Sequence, residues 1–268
     1  MTLPRAAMEE PPADRSGARW RRITAALATA GLALALIAGL GLLLSGPGHR
    51  FGWWSFGTGF ALMRWAAYGG IAAAVVSAAA LVLAPLRARR RGMLRALAGL
   101  VIGLITVGVP AYLLQKARAV PPIHDITTDT EDPPAFETIL PLRAQAPNPA
   151  THGGPAVAAQ QREGYPDIAP ADHPVGTDAA FAAALAAARE LGWTVVAMDE
   201  AGGRIEAIDR TFWFGFADDV VIRIRPTDAG SRIDVRSVSR VGVSDIGTNA
   251  ARIRAFLAQL REEIGASG

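Results

Sequence analysis

The chain contains no cysteine and a single lysine, and only 19% of its 268 residues are charged. Without thiols there is no disulfide framework, no cysteine nucleophile and no thiolate metal site. A wholly soluble protein of this size carries charge on about a quarter of its residues, so the shortage argues for a different environment. The single lysine stands beside 26 arginines and much alanine, which reads as a coding bias and carries no functional message.

What charge there is lies unevenly. Residues 1–119 hold 14 basic and 3 acidic side chains, whereas residues 120–268 hold 13 basic and 21 acidic. Opposed halves of this kind usually face different surroundings. The first half has three runs without a charged residue: 22 residues from Ile23 to Leu44, 20 from Trp65 to Ala84 and 19 from Ala96 to Leu114. At about 1.5 Å per residue each reaches roughly 30 Å, the thickness of a bilayer's hydrocarbon core. Ile23–Leu44 exceeds the apolar core of a signal peptide, about 7–15 residues, and no A-x-A-like site follows it. It is therefore read as a retained span.

Arginines set the expected orientation. Arg15, Arg19, Arg21 and Arg22 precede the first run, and Arg87, Arg89, Arg90, Arg91 and Arg95 fill the link between the second and third. The link between the first two holds only Arg50 and Arg64. The positive-inside bias then places the N-terminus in the cytoplasm and everything beyond about residue 118 on the far side. In a Gram-negative host that is the periplasm, and the membrane is the inner one. Trp20, the FGWWSF segment (Phe51–Phe56), Trp65, Tyr68 and Tyr112 form an interfacial anchoring pattern. Gly99 and Gly103 permit close helix contact, and Pro110 is expected to bend the third helix. With no ionisable residue at mid-span, the usual mark of a transport path is missing, and this half reads as an anchor.

Residues 121–176 carry 11 of the 18 prolines and show neither helical nor strand period, as in a linker or a strap lying over a domain. From Thr177 the pattern sharpens. Thr177 or Asp178 is expected to cap a helix through Leu191, with Gly192 ending it. Strands are expected at Trp193–Asp199, Arg204–Asp209, Asp219–Arg225 and Ser231–Arg240, with a glycine-bearing turn at Glu200–Gly203. Ile246–Ile264 places Ile246, Ile253, Phe256, Leu257, Leu260 and Ile264 on one helical stripe. The expected fold is three transmembrane α-helices plus a small α+β domain, a four-stranded antiparallel sheet flanked by two helices. Those helices cover one face of the sheet, leaving the other open to water. The segments are a cytoplasmic N-terminal stretch (1–22), a three-helix anchor (23–119), a Pro-rich extracytoplasmic linker or strap (120–176) and the α+β domain (177–268).

The run GRIEAIDRTFWFGFADDVVIRIRP (Gly203–Pro226), followed by SRIDVRSVSRVGVSDIGTNAARI (Ser231–Ile253), resembles the bacterial family called domain of unknown function 1499. PPIHDITTD (Pro121–Asp129) resembles that family's usual opening segment, and the likeness covers roughly residues 120–264. It implies an envelope-facing domain, often attached to membrane helices. It implies no activity and no catalytic residues.

Four groups of residues merit chemical attention. By the two-residue period Arg232, Asp234, Arg236 and Arg240 share one strand face, as do Arg223 and Arg225, with Arg204 and Glu206 beside them. Several guanidiniums on one surface bind phosphate or carboxylate bidentately; the competing reading is a ladder of cross-strand ion pairs. Nucleic acid is not expected, because this half is net acidic. Phe212, Trp213, Phe214 and Phe216 either close the core, line an apolar pocket or dip into the membrane interface. Ser244, Asp245 and Asn249, next to Arg240, stand where a helix start can hold an anion or simply be capped. His124 and Asp125 allow a hydrolase triad with Ser239 or Ser244 on paper, but no nucleophile elbow accompanies them. The acids Asp129, Glu131 and Asp132 do not follow a Ca²⁺-loop pattern. His49, His152 and His173 receive no assignment. The resulting expectation is a non-enzymatic membrane-anchored protein without catalytic residues, metal or cofactor, engaging an envelope protein or anionic lipid. Apolar-ligand binding through Phe212–Phe216 is the second reading, and envelope hydrolysis the third.

Overall fold

The computed structural model describes residues 15–84 and 90–267. Residues 1–14 of the segment expected to be cytoplasmic, and Arg87 and Arg89 of the arginine link, lie outside the described residues. The chain divides into two units, Met1–Ser45 with Ser55–Pro110, and Gly46–Trp54 with Ala111–Gly268.

The first unit is built on α1 (Arg15–Arg50), α2 (Phe56–Val82) and α3 (Arg90–Arg118), each long and apolar enough to cross a membrane. The helices outrun the charge-free stretches, because helix formation tolerates the flanking arginines that lipid does not. Ser55 caps α2, its Oγ accepting the Thr58 N–H at 3.2 Å. Trp65 and Arg64 consequently lie inside α2 rather than at its start. The contacts between helices are made by small residues. A Cβ added to Gly103 would stand 2.8 Å from the Gly70 carbonyl oxygen and 3.0 Å from Ala74 N, so α2 and α3 approach backbone to backbone. Large side chains such as Ile37, Leu43 and Val82 point outward instead. This close approach is what the Gly99/Gly103 spacing predicts.

The second unit is a six-stranded antiparallel sheet with helices on one face. Its strands are β1 (Asp125–Thr127), β2 (Ala171–His173), β3 (Thr194–Asp199), β4 (Arg204–Arg210), β5 (Ala217–Thr227) and β6 (Gly230–Ser239). The order is β1-β6-β5-β4-β3, and β2 also pairs with β6. The four expected strands are present; β1 and β2 are additional. Three residues each, they have no period of their own to betray them. They exist because β6 offers one edge along its whole length: β1 takes residues 236–238 and β2 takes 231–233.

Two helices, α5 (Thr177–Glu190) and α6 (Thr248–Ser267), cover one face of the sheet. There Ile205, Val220, Ile222, Ile233 and Val235 meet Ala184, Ala187, Ile253, Phe256 and Leu260, and Trp193 stacks on Phe256 with ring centroids 5.4 Å apart. Gly176, not Thr177 or Asp178, is the cap residue of α5, and it makes no side-chain hydrogen bond. Gly192, at φ +76°, ends that helix as expected, and Gly203, at φ +61°, turns β4 back from β3.

The other face is not open to water. Residues 128–151 run across it as a strap that includes a 3-10 turn at Leu140–Arg143, and Phe136 and Ile139 pack on Val221 and Val238. The Pro-rich stretch also forms α4 (Pro155–Gly164), with Pro155 in its first turn, where a missing N–H costs nothing.

Candidate functional site

The arginine face folds as its period predicts, with Asp219, Val221, Arg223 and Arg225 of β5 beside Arg232, Asp234, Arg236 and Val238 of β6, and Arg240 just beyond the end of β6, its N–H on the Ala217 carbonyl. The strap, however, brings acids to meet it. Asp129 Oδ2 accepts from Nη2 of Arg223 and Arg225 at 3.3 Å and from Nη2 of Arg232 at 3.0 Å. Asp234 accepts from the same three arginines, at 2.9, 3.0 and 3.2 Å. Asp132 Oδ2 accepts from Nη1 of Arg223 and Arg225 at 3.0 and 2.9 Å. Three guanidiniums thus face three carboxylates. Burial pushes the Asp129 carboxyl up, but N–H donors from Asp132 and Glu131 and the charges of Arg232 and Arg223 outweigh it, and the net shift is downward.

Arg236 goes further: only 2% exposed, it grips Asp125 through two hydrogen bonds of 2.9 and 2.8 Å. It also donates to the carbonyls of Pro134 (3.0 Å) and Ala150 (2.8 Å) and lies 5.1 Å over the Phe136 ring. Arg240 binds Asp219 through Nε and Nη2 (2.7 Å for the latter) and donates to the Leu142 carbonyl at 2.8 Å. Arg143, whose guanidinium lies 3.5 Å from Asp219, is also 5.6 Å from the centroid of the Phe136 ring. Burial lowers its pKa, partly offset by Asp219. The arginine face is therefore an internal clasp that holds the strap down.

The start of α6 is likewise occupied. Asp245 accepts the N–H of Gly247 (2.8 Å) and of Asn249 (2.6 Å), while Ser244 Oγ accepts that of Ile246 at 3.2 Å. Asn249 is buried and donates to the His124 carbonyl (2.9 Å) and Ser239 Oγ (3.0 Å). Arg252 completes this network, reaching Asp209 and Asp218 at 2.7 Å each. Burial raises the Asp218 and Asp245 carboxyls, opposed by Arg252 in one case and by backbone N–H donors in the other. The His124 ring meets the Val243 carbonyl at 3.3 Å, whereas Ser239 and Ser244 hydrogen-bond as just described. Among the described residues no group of three or more His, Asp or Glu side chains is placed to hold a metal.

The aromatic segment is a tight turn between β4 and β5, closed by Phe216 N donating to Thr211 Oγ1 (2.9 Å) and Gly215 N donating to the Thr211 carbonyl (2.9 Å). Because it is not extended, its rings do not share a face. Phe214 and Phe216 stack at 5.1 Å and lie beside His49, Trp213 covers Gly46, and Phe212 projects 91% exposed.

Elsewhere, a cleft of about 570 Å³ opens between the strap and α4. Pro133, Ala135, Phe136, Leu140, Ala150 and Ala158 give it apolar walls; Glu131, Thr151, His152, Arg162 and Arg236 are its polar lining. His152 Nδ1 accepts the Gly154 N–H at 3.1 Å, which leaves the ring proton on Nε2, and Nε2 is buried without a hydrogen-bond partner. Burial pushes the His152 pKa down, with Asp125 opposing and Arg236 reinforcing, so the ring is neutral near pH 7. Arg162 donates to Thr130 Oγ1 (3.0 Å) and Glu131 (2.8 Å) at the rim. None of Phe136, His152 or Arg162 stands out in the sequence. The one available signal was Gly153-Gly154-Pro155, a helix start that would have located α4 and the wall it makes.

Residues 125–260 match the family described as "Protein of unknown function (DUF1499)". That stretch begins with β1 and the strap, so the clasp and the cleft both lie inside it. No curated protein matches the chain.

Proposed function

We propose that this chain, which belongs to the DUF1499 family, is a non-enzymatic membrane-anchored binding protein that seats an apolar group of its ligand or partner in the cleft between strap and α4. The observation that carries the reading is the lining of that cleft: seven apolar side chains, Pro155 among them, around a half-buried, neutral histidine whose inaccessible Nε2–H has no acceptor. A buried donor left unpaired costs about 1–3 kcal/mol, a cost that a ligand acceptor reaching Nε2 removes. The apolar walls reward contact in proportion to area. The arginine face supports the reading indirectly, since a clasp with its charges matched keeps the cleft's outer wall in place rather than capturing anions itself.

Three candidate spans and the distribution of arginine support a cytoplasmic N-terminus and a periplasmic cleft in the inner membrane of a Gram-negative host. A photo-reactive residue at Leu140, on the cleft wall, tests the function in living cells. A discrete adduct that weakens when Ala158→Phe fills the cleft is the expected result. Equal labelling in the filled and unfilled forms would reject the cleft as the binding place.

A further inference from the structure

The tip of the β4–β5 turn and the link between α1 and α2 form one exposed aromatic ridge. Phe212 is 91% exposed, Phe51 66% and Trp53 63%. Arg50 joins them: its guanidinium lies 6.0 Å from the Phe212 ring centroid, and Nη1 donates to the Phe212 carbonyl. Phe51 and Trp53 are themselves in ring contact at 5.9 Å. Single exposed apolar residues are ordinary. Phe212 against Arg50, and the paired rings of Phe51 and Trp53 that directly follow Arg50 in the chain, are more than scattered single residues, and exposed apolar groups of this kind mark a surface that something else covers.

Connectivity says what covers it. Residues 51–55 join two helices, α1 and α2, that are each long and apolar enough to cross a bilayer. The apolar run of α1 ends at Leu44, six residues before Arg50. At about 1.5 Å per residue the arginine backbone then stands at most roughly 9 Å beyond the hydrocarbon edge, at the outer limit of a headgroup layer about 5–8 Å deep, from which its long side chain reaches back to the phosphates. A tryptophan such as Trp53, with an apolar body and a polar N–H, concentrates at that level, phenylalanine buries its ring at the headgroup–acyl boundary, and arginine extends its head toward phosphates while its stem stays in apolar surroundings. The turn at Thr211–Phe216 packs on residues 46–50 in the same unit, with Gly215 against the Arg50 side chain and Trp213 against Gly46. Phe212 is thereby carried to the same level.

We propose that Phe212, with Phe51 and Trp53, inserts into the headgroup–acyl boundary of the bilayer, with Arg50 at the phosphates, so that the sheet domain contacts lipid directly and not only through its helices. This proposal does not depend on the cleft.

The absence of cysteine makes the test clean, because one introduced thiol is the only label site. Phe212→Cys and Val243→Cys, both at highly exposed positions, are labelled with a polarity-sensitive fluorophore in the full chain. The chain is held in phosphatidylcholine nanodiscs, with and without lipid carrying a spin label near the headgroup. The label at 212 should be quenched by the spin-labelled lipid and be severalfold less accessible to aqueous iodide than the label at 243. Equal iodide quenching at the two positions, with no lipid quenching at 212, overturns the proposal. Protection from iodide without lipid quenching overturns it too, and shows that a protein surface covers Phe212. A label at Phe51→Cys guards against misfolding. If 51 reports lipid and 212 does not, the turn is off the membrane and the proposal fails.

Discussion

Arg236→Gln separates the two things an arginine on this sheet could do. In the native chain Arg236 neutralises Asp125 and satisfies the carbonyls of Pro134 and Ala150, and both members of the ion pair are nearly inaccessible. Removing one partner of a buried pair costs about 3–5 kcal/mol, because the other charge is left uncompensated. The carbonyl hydrogen bonds that glutamine fails to replace add to that loss. Hydrogen exchange of the full chain in nanodiscs, followed over residues 128–151, reads this directly. Protection of the strap at pH 7 should fall by about a hundredfold to a few thousandfold. The double variant D125N/R236Q should recover part of the loss. Native-like protection at pH 7 would refute the clasp. If ligand capture vanished while protection stayed native, Arg236 would be an anion-binding residue after all.

Acid should act on the two buried regions in opposite senses. The Asp129 carboxyl is held below its ordinary range, so its contribution is present above about pH 4 and is lost as pH falls through the folded value. The raised carboxyls of Asp218 and Asp245 contribute stability below the unfolded value and lose it as pH rises through the folded one. On acidification the amides of residues 128–133 should thus lose exchange protection before those of the first turn of α6; the reverse order would contradict the assignment. In the first unit, Gly103→Ala forces a Cβ against the Gly70 backbone and should cost about 1–3 kcal/mol, whereas Gly108, with open space around it, should accept alanine. Thermal unfolding in detergent compares the two, and equal midpoints would refute backbone contact between α2 and α3. Phe256→Ala removes a fully buried ring stacked on Trp193 and should cost about 3–5 kcal/mol. Phe212→Ala should leave domain stability within about 0.5 kcal/mol in detergent, as surface substitutions do.

Much of the architecture was legible because it is local. Three charge-free runs long enough for a bilayer, four alternating strands and two amphipathic stripes each declare themselves within a few residues, and the structure places helices or strands on all of them. The Gly99/Gly103 spacing announced a close helix contact for the same reason. The shortfalls fall where local pattern is silent. β1 and β2 are three residues each and owe their conformation to the edge of β6. α4 starts on a Gly-Pro pair inside a stretch whose prolines suggested no helix. The cap of α5 moved to Gly176, since no side-chain bond was needed to hold it.

The candidate residues divide along the same line. The two-residue period placed Arg223, Arg225, Arg232, Arg236 and Arg240 on one face, and that is where they are. Whether they meet solvent, a ligand or their own chain was not a question the period could answer. Asp125 lies 111 residues from Arg236, and Asp129 is 94 from Arg223. The sequence by itself determined the three long apolar helices, the strand faces and the side chains that close the start of α6, because hydrophobic burial and backbone geometry act over a turn or a pleat. Only the tertiary structure decided that the arginines clasp a strap, that the strap makes a cleft with α4, and that Phe212 alone of its segment projects outward. Charge pairing and cavity shape depend on distance in space, and the chain returns to the same place only after folding.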